Sequence, residues 1–197
     1  MTPAVIAAVA ALLVGVIGAL LSYANARRLS RTEAQLARVN AQLSELYGPM
    51  HATLEATRIA YEKFVQSSRG SPNFFNPRLP KPTDEELELW RTWVTTVLQP
   101  GNKRTYELIV NKAHLLIDDE MPQCLLTFCA HVAGFDVTIR RWEAKDYSSH
   151  LSVVSHPRDE LNSYARNSFR QLKRTQAHLL AQSKIEPSTR TKQAGIK

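Results

Sequence analysis

The stretch that decides the architecture is residues 3–22, PAVIAAVAALLVGVIGALLS, in which no side chain is charged. A helix needs roughly 20 apolar residues to cross a hydrocarbon core of about 30 Å, where it satisfies its own backbone hydrogen bonds. Arg27, Arg28 and Arg31 follow the run, whereas no basic residue precedes it. The positive-inside rule therefore predicts a single-pass helix in the cell (inner) membrane, with the N-terminus outside and the C-terminal domain cytoplasmic.

A cleaved signal peptide is the alternative for this region, because Ala24-Asn25-Ala26 has the small residues of a peptidase site. Signal peptides carry a basic N-terminus and an apolar core of about 7 to 15 residues. This chain has neither property, and arginines follow its apolar run at once. We therefore interpret residues 1–26 as a permanent transmembrane anchor.

Two patterns bear on dimerisation through the N-terminal region. Small residues at every fourth position let two helices approach closely, although an alanine-rich span has this spacing by chance: Ala7, Ala11, Gly15 and Ala19. Behind the span, apolar positions step by three and four as in a coiled-coil seam: Leu29, Thr32, Leu36, Val39, Leu43 and Leu46. Residues 27–48 thus form either a short coiled-coil stalk of a parallel homodimer or an amphipathic helix packed on its own domain.

Helical spacing of apolar residues continues through the rest of the chain, and no segment shows the alternation of a strand. It predicts an all-α fold, with an antiparallel helical bundle over residues 49–183 and a disordered basic tail over 184–197. The expected helices cover residues 49–66, 83–99, 102–117, 122–143 and 157–183. Loops are expected at residues 67–83, which hold four prolines, and 144–156.

Three local signals refine this prediction. Proline in Leu46-Tyr47-Gly48-Pro49 predicts a kink or a new helix start, and Pro100-Gly101 predicts a pause. Thr83 and Glu86 have the spacing of a capping box. Phe74 and Phe75 lie inside the first loop, and burial of two aromatic rings predicts that this loop is ordered and covers the domain.

The best candidate for a metal site combines imidazoles and carboxylates around one predicted turn. His114 and Asp118 are four apart on one helical face, Glu120 follows them, and His131 lies on the next helix. These groups are ligands for a divalent ion if antiparallel packing brings them together. In the alternative, the acidic residues cap the turn and His131 is a satisfied polar residue near the core.

Two further pairs have weaker claims to a site. His51 and Glu55 share the same one-turn spacing. Cys124 and Cys129 are five apart, so they point to different helical faces and are not a metal pair. In a reducing cytosol we expect both cysteines to be small buried hydrophobic residues.

Charge is unevenly distributed in a chain whose net charge is +7. Residues 83–120 hold eight acidic and four basic side chains, whereas the last predicted helix bears Arg166, Arg170, Lys173 and Arg174. Together with Arg27, Arg28 and Arg31, this basic stripe is predicted to contact anionic lipids at about 1 kcal/mol per residue. A solvated helix face is the alternative. Nucleic-acid binding is not expected, because aromatic interleaving and the known fold motifs are missing.

A resemblance is carried by Leu46-Tyr47-Gly48-Pro49, the helix of Trp90 and Trp93, Asp119-Glu120-Met121-Pro122, and His131-Val132-Ala133 with Trp142. These segments resemble an uncharacterised group of small bacterial helical proteins, some with a similar N-terminal span. The resemblance covers about residues 35 to 180. It implies a shared helical domain and a bacterial source, and it supplies no catalytic residue.

The function expected from these features is that of a membrane-anchored scaffold or adaptor that binds a protein partner at the cytoplasmic face. Phosphate-binding glycine loops, His-Glu-x-x-His and Gly-x-Ser-x-Gly are missing from the sequence, so an enzyme and a bound cofactor are not expected. The alternative is a ligand- or metal-binding sensor or enzyme that uses a pocket in the helical bundle.

Overall fold

The computed structural model describes residues 2–185, and these residues form helices joined by turns and by two longer connections, residues 70–83 and 144–157. No strand occurs among them, so the all-α prediction is confirmed. The α-helices are α1 (Pro3–Ala41), α2 (Gly48–Arg69), α3 (Asp84–Trp93), α4 (Gln99–Asn111), α5 (Gln123–Glu143) and α6 (Arg158–Ile185). π-Helical segments cover Gln42–Tyr47 and Val94–Leu98, and a 3-10 turn covers Ala113–Leu115.

The chain divides into two compact units, one of residues 1–40 with 174–197 and one of residues 41–173. The expected division into an anchor (1–26), a stalk (27–48), a bundle (49–183) and a tail (184–197) stays a prediction, because the two compact units do not show where a bilayer lies. Helix α6 extends to Ile185, so the first two residues of the expected tail are helical. Residues 186–197, which make up the rest of that tail, lie outside the described residues.

The unit of residues 1–40 and 174–197 contains an apolar segment near the N-terminus with a mean hydropathy of 2.8, none of it buried by protein. By length and composition this helix can cross a membrane. Farther along α1, Val39 is buried and Asn40 Oδ1 accepts a hydrogen bond of 2.7 Å from Gln176 Nε2 of α6. This end of the expected seam therefore packs within one chain, whereas Leu29 is exposed. The coiled-coil stalk stays a prediction.

Two prolines of the unit of residues 41–173 directly follow a π-helical segment. Pro49 and Pro100 are the second residues of α2 and α4. The π turns end with Gly48 donating to Leu43 O and Gln99 donating to Val94 O. Helical structure runs through both prolines without a break, because the wider π turn accommodates a ring that lacks a backbone N–H. The pause expected at Pro100-Gly101 is therefore wrong, and the helix does not start anew at Pro49; the alternative kink at Pro49 stays a prediction.

The first loop is ordered as the sequence predicted, and we call residues 70–83 the aromatic loop. Phe74 is fully buried, with its ring stacked on those of Phe64 (5.6 Å) and Trp90 (4.8 Å). The capping box at the end of this loop is confirmed: Glu86 N donates to Thr83 Oγ1, and Thr83 N donates to Glu86 Oε2. These rings belong to one apolar core: Phe64, Val65, Phe74, Trp90, Val94, Leu98, Phe135 and Trp142.

Candidate ligand-binding site

A cavity of about 280 Å³ lies inside the unit of residues 41–173, beside the aromatic core. Its wall combines α2, α3, α4, α5, the start of α6 and residues 151–156. Much of the wall is apolar: Leu54, Trp90, Val94, Leu98, Phe135 and Leu151. A dry engineered cavity of about 150 Å³ already binds benzene, so this cavity has room for a bicyclic molecule.

Gln99, which follows the second π segment, places a buried amide at the cavity wall and is only 3% exposed. Its Nε2 donates to Val132 O (3.0 Å) and Asp136 Oδ1 (2.8 Å). These acceptors fix the orientation of the amide, because the reversed amide would set its oxygen against two other oxygens. The Oε1 atom is left buried without a hydrogen-bond partner.

Asn102, three residues later on the same face of α4, also lines the cavity and is 6% exposed. Its side-chain amide makes no hydrogen bond to any of residues 2–185. Close packing brings it inward, because Gly101 lies against α2: a Cβ at Gly101 would stand 2.7 Å from Thr57 Oγ1. The unused amide of Asn102 can donate to and accept from a molecule in the cavity.

His131 of α5 presents an acceptor to the same cavity. Its Nδ1 lies 2.7 Å from Val154 O, and since a carbonyl only accepts, Nδ1 must carry the proton. Burial lowers the pKa of His131 below its ordinary value, so the ring is neutral and Nε2 holds a lone pair. Nε2 has no hydrogen-bond partner within residues 2–185.

His156 lies beside His131, with the ring centroids 4.9 Å apart. Burial lowers the pKa of His156 to about 3, and the proximity of His131 and Arg158 adds to the effect. Its Nδ1 is buried without a partner in the described chain. Both imidazoles at the cavity are therefore neutral near pH 7.

One wall of the cavity belongs to residues 144–157, which we call the covering segment. Its backbone carbonyls accept hydrogen bonds from side chains of α3 and α5: Trp90 to His150 O (2.9 Å), Trp142 to Ser149 O (2.8 Å), Thr138 to Leu151 O (3.1 Å) and His131 to Val154 O (2.7 Å). Ser152 Oγ donates back to His131 O at 3.1 Å. Gly134 permits this contact, since a Cβ there would lie 2.5 Å from Ser152 Oγ. The segment is held by these hydrogen bonds together with the packing of His150 on Phe75 and of His156 on Phe128.

Two arginines line the cavity at its more polar side. Arg58 pairs with Glu55 and Glu62, each at 2.6 Å, so its charge is balanced by two carboxylates. Arg158 stacks on Tyr61, with its Cζ 4.2 Å from the ring centroid, and forms no ion pair within residues 2–185. Among the described residues, these two arginines line the cavity and no carboxylate does, so a cationic ligand would have no counter-ion there.

The structure does not bring the residues of the expected metal site together. No group of three or more His, Cys, Asp or Glu side chains in the described chain is arranged to hold a metal ion. His131 lies in the cavity wall, whereas Asp118 accepts a hydrogen bond of 2.7 Å from Tyr164 Oη. His114 belongs to the 3-10 turn, and Glu120 is exposed in the loop before α5.

The two weaker pairs do not form a metal site either. His51 packs on Phe169, with ring centroids 5.3 Å apart. The pKa of Glu55 is lowered chiefly by its hydrogen bond to Arg58, and the nearby His51 adds to the effect, but no third ligand joins this pair among the described residues. Cys124 and Cys129 are free and partly buried, and burial raises the pKa of both thiols. Raised values disfavour the reactive thiolate, so neither cysteine is activated as a nucleophile.

The basic residues expected at the membrane surface are mostly exposed. Arg27, Arg28, Arg31, Arg170, Lys173 and Arg174 are exposed, whereas Arg166 is partly buried and lies 3.8 Å from Glu55. Exposure is required for lipid contact and equally for a solvated face. Their contact with anionic lipids stays a prediction.

Sequence reasoning missed Gln99, Asn102 and His156 as site residues. The sequence held a signal for Gln99 and Asn102, because these polar side chains, three residues apart, lie on the same helical face as the apolar Val94 and Leu98. It was overlooked because α4 was expected to begin at Asn102. No protein-family model, curated protein or solved structure matches the chain.

Proposed function

We propose that this protein is a single-pass protein of the cell membrane whose cytoplasmic helical unit binds a small organic ligand. The apolar N-terminal helix and the arginines behind it support the anchor and its orientation. The cavity of residues 41–173 supports ligand binding. The metal version of the sensor hypothesis is not proposed.

One observation carries the ligand proposal: buried polar side chains line an apolar cavity and keep unused hydrogen-bonding capacity. Gln99, Asn102 and His131 are each at most 6% exposed. The atoms enclosed without a partner, at a cost of about 1 to 3 kcal/mol, are Gln99 Oε1 and His156 Nδ1. The amide of Asn102 and Nε2 of His131 have no partner within residues 2–185 and line the cavity, so a ligand there can hydrogen-bond to them. A packed core would fill the space with apolar side chains instead.

Binding rather than catalysis fits the groups around the cavity. His131 and His156 are both neutral, and no carboxylate within residues 2–185 hydrogen-bonds to either ring. A general base is usually oriented by a third group, as the carboxylate orients histidine in a catalytic triad. The two imidazoles therefore serve as hydrogen-bonding groups.

The test is thermal unfolding of the full-length protein in detergent with indole as the probe. The wild type is expected to melt at a higher temperature as indole is added, because binding to the folded state alone stabilises it. The control is Leu98→Trp, which fills the cavity with a ring of the same size. It must first show wild-type helicity by circular dichroism. Equal shifts in both proteins would mean that indole acts through the micelle, and the ligand proposal would fail.

A second candidate is a homodimer that pairs through the outer face of α5; the scaffold or adaptor expected from the sequence stays a separate prediction. The exposed residues there follow a spacing of four, three and four and are apolar or small: Leu126, Ala130, Ala133 and Val137. Val153 of the covering segment is 93% exposed and comes within 3.4 Å of a Cβ built on Gly134. Such a stripe fits a second copy of α5, since small central residues allow close approach.

Cross-linking of Ala133→Cys, made with Cys124 and Cys129 replaced by Ala, tests the second candidate in membranes. Efficient disulfide formation between two chains is expected if two α5 helices pair. The control is Glu143→Cys, an exposed position beyond the stripe. Equal cross-linking at both positions, or none at either, would contradict pairing through this face.

A further inference from the structure

We infer that the ligand of the cavity is a neutral, planar bicyclic molecule with an N–H or O–H donor and a hydrogen-bond acceptor. This inference rests on the proposed ligand-binding function. It adds the chemical class of the ligand: the ligand's donor pairs with His131 Nε2, which accepts, and the ligand's acceptor pairs with the amide N–H₂ of Asn102, which donates.

The need for a donor follows from the tautomer of His131. Its Nδ1 proton is committed to Val154 O at 2.7 Å, which leaves Nε2 as an acceptor that only a donor can satisfy. The oxygen of Gln99 gives the same wall a second acceptor, although this atom is enclosed by protein. An apolar molecule without a donor leaves the imidazole acceptor unpaired.

The need for an acceptor follows from Asn102. It is 6% exposed, lines the cavity, and neither the N–H₂ nor the oxygen of its side-chain amide has a hydrogen-bond partner within residues 2–185. A carbonyl on the ligand accepts from the amide N–H₂, and the amide oxygen remains available for a second donor. A lactam supplies both an N–H for His131 and a C=O for Asn102.

Shape and charge complete the class. The rings of Trp90 and Phe135 with Val94 and Leu98 form apolar walls that suit a flat ring system. Arg58 and Arg158 line the cavity and no carboxylate of the described residues does, so an ammonium group would lack a counter-ion and the donor belongs to a neutral molecule. The volume of about 280 Å³ fits two fused rings.

The experiment compares probes of nearly equal size by calorimetry with the full-length protein in detergent: 2-oxindole (N–H and C=O), indole (N–H only), indene (neither) and 2-aminoindane (a cation). We expect 2-oxindole to bind tightest, indole about tenfold more weakly, indene about tenfold more weakly again, and 2-aminoindane not at all. One well-formed hydrogen bond at a buried site corresponds to about one such factor.

Two variants assign the contacts. His131→Asn retains an N–H for Val154 O but lacks Nε2, and it should abolish the preference for indole over indene. Asn102→Leu is nearly isosteric and should abolish the preference for 2-oxindole over indole, while the preference for indole over indene remains. Each variant must show wild-type helicity and cooperative melting.

The outcomes separate this inference from the proposed function. Equal affinity for 2-oxindole, indole and indene would overturn the assigned chemistry and leave a cavity that binds by shape alone. Binding of none of these probes would overturn both. Preferences that survive both substitutions would show that other groups select the ligand, and the assignment to His131 and Asn102 would be wrong.

Discussion

The aromatic loop (70–83) and the covering segment (144–157) both lie on the core of the unit of residues 41–173, but different forces hold them. The aromatic loop is attached by burial of Phe74, which is completely inaccessible to solvent. The covering segment is attached by side chains that donate to its carbonyls, and its Val153 is 93% exposed. Burial of Phe74 needs no specific acceptor, whereas the covering segment depends on individual hydrogen bonds from donors that are themselves buried. The covering segment, and not the aromatic loop, forms part of the cavity wall.

The largest effect should come from Phe74→Ala in the aromatic loop. Removing a fully buried ring that stacks on Phe64 and Trp90 should lower the free energy of unfolding by about 3 to 5 kcal/mol. Urea denaturation followed by circular dichroism measures it. The control is Phe75→Ala, whose ring is only partly buried and should cost less. Equal losses for both would mean that Phe74 does not anchor the loop.

The covering segment should be the acid-sensitive one, because it carries His156. Burial lowers the pKa of His156 to about 3 in the folded protein, whereas the pKa is about 6.5 in the unfolded chain. Between these two pH values the unfolded chain binds a proton at His156 and the folded protein does not. Stability is therefore complete above about pH 6.5 and falls as pH decreases toward 3. Between pH 7 and 5 the expected loss is about 2 kcal/mol.

His156→Gln should remove most of this pH dependence and leave any part due to His131, whose pKa is also lowered by burial. Urea denaturation at pH 7, 6 and 5 compares the two proteins. The same loss in wild type and variant would assign the acid sensitivity to groups other than His156, among them His150 of the covering segment, whose pKa is also lowered by burial.

Gly134→Ala tests the close contact between α5 and the covering segment. Replacing an unobstructed glycine inside a helix with alanine raises the free energy of unfolding by about 0.5 to 1 kcal/mol. Here the new Cβ would displace Ser152 Oγ and break its hydrogen bond to His131 O, so we expect a loss of about 1 to 2 kcal/mol. The reverse change at the exposed neighbour, Ala133→Gly, should cost about 1 kcal/mol as in any helix. A stabilised Gly134→Ala protein would contradict the contact.

The smallest effect is expected for Thr138→Val, which removes one tether without changing side-chain volume. Loss of the bond to Leu151 O should cost about 1 kcal/mol. Thr92→Val on α3 is the matched control, because this exposed hydroxyl bonds only within its own helix. Thermal melting of both variants gives the difference, and indistinguishable melting temperatures would show that the Thr138 tether adds no stability.

The same contrast explains what the sequence could predict. Helical periodicity, the Thr83 and Glu86 capping box and the burial of Phe74 are local or apolar signals, and the structure confirms them. The acceptors of the hydrogen bonds to the covering segment are backbone carbonyls, which every residue has. The sequence therefore contains no side-chain pattern that predicts these hydrogen bonds.

The candidate site was harder to predict for a related reason. His131 was chosen as a metal ligand, yet its Nδ1 is used by Val154 O, 23 residues away in sequence. Gln99 and Asn102 become site residues only because the π segment Val94–Leu98 carries the helix through Pro100. Proline alone predicted a pause there, and the compensating π turn depends on packing.

The most direct test of ligand binding is a nitrogen-15 spectrum of the histidine-labelled full-length protein in detergent, titrated with 2-oxindole. Before addition, we expect His131 to show a protonated Nδ1 and an Nε2 signal typical of an unprotonated nitrogen. On addition, the Nε2 signal should move in the direction caused by accepting a hydrogen bond, while Nδ1 stays bound to Val154 O. An unchanged Nε2 signal at saturating 2-oxindole would contradict the proposed site.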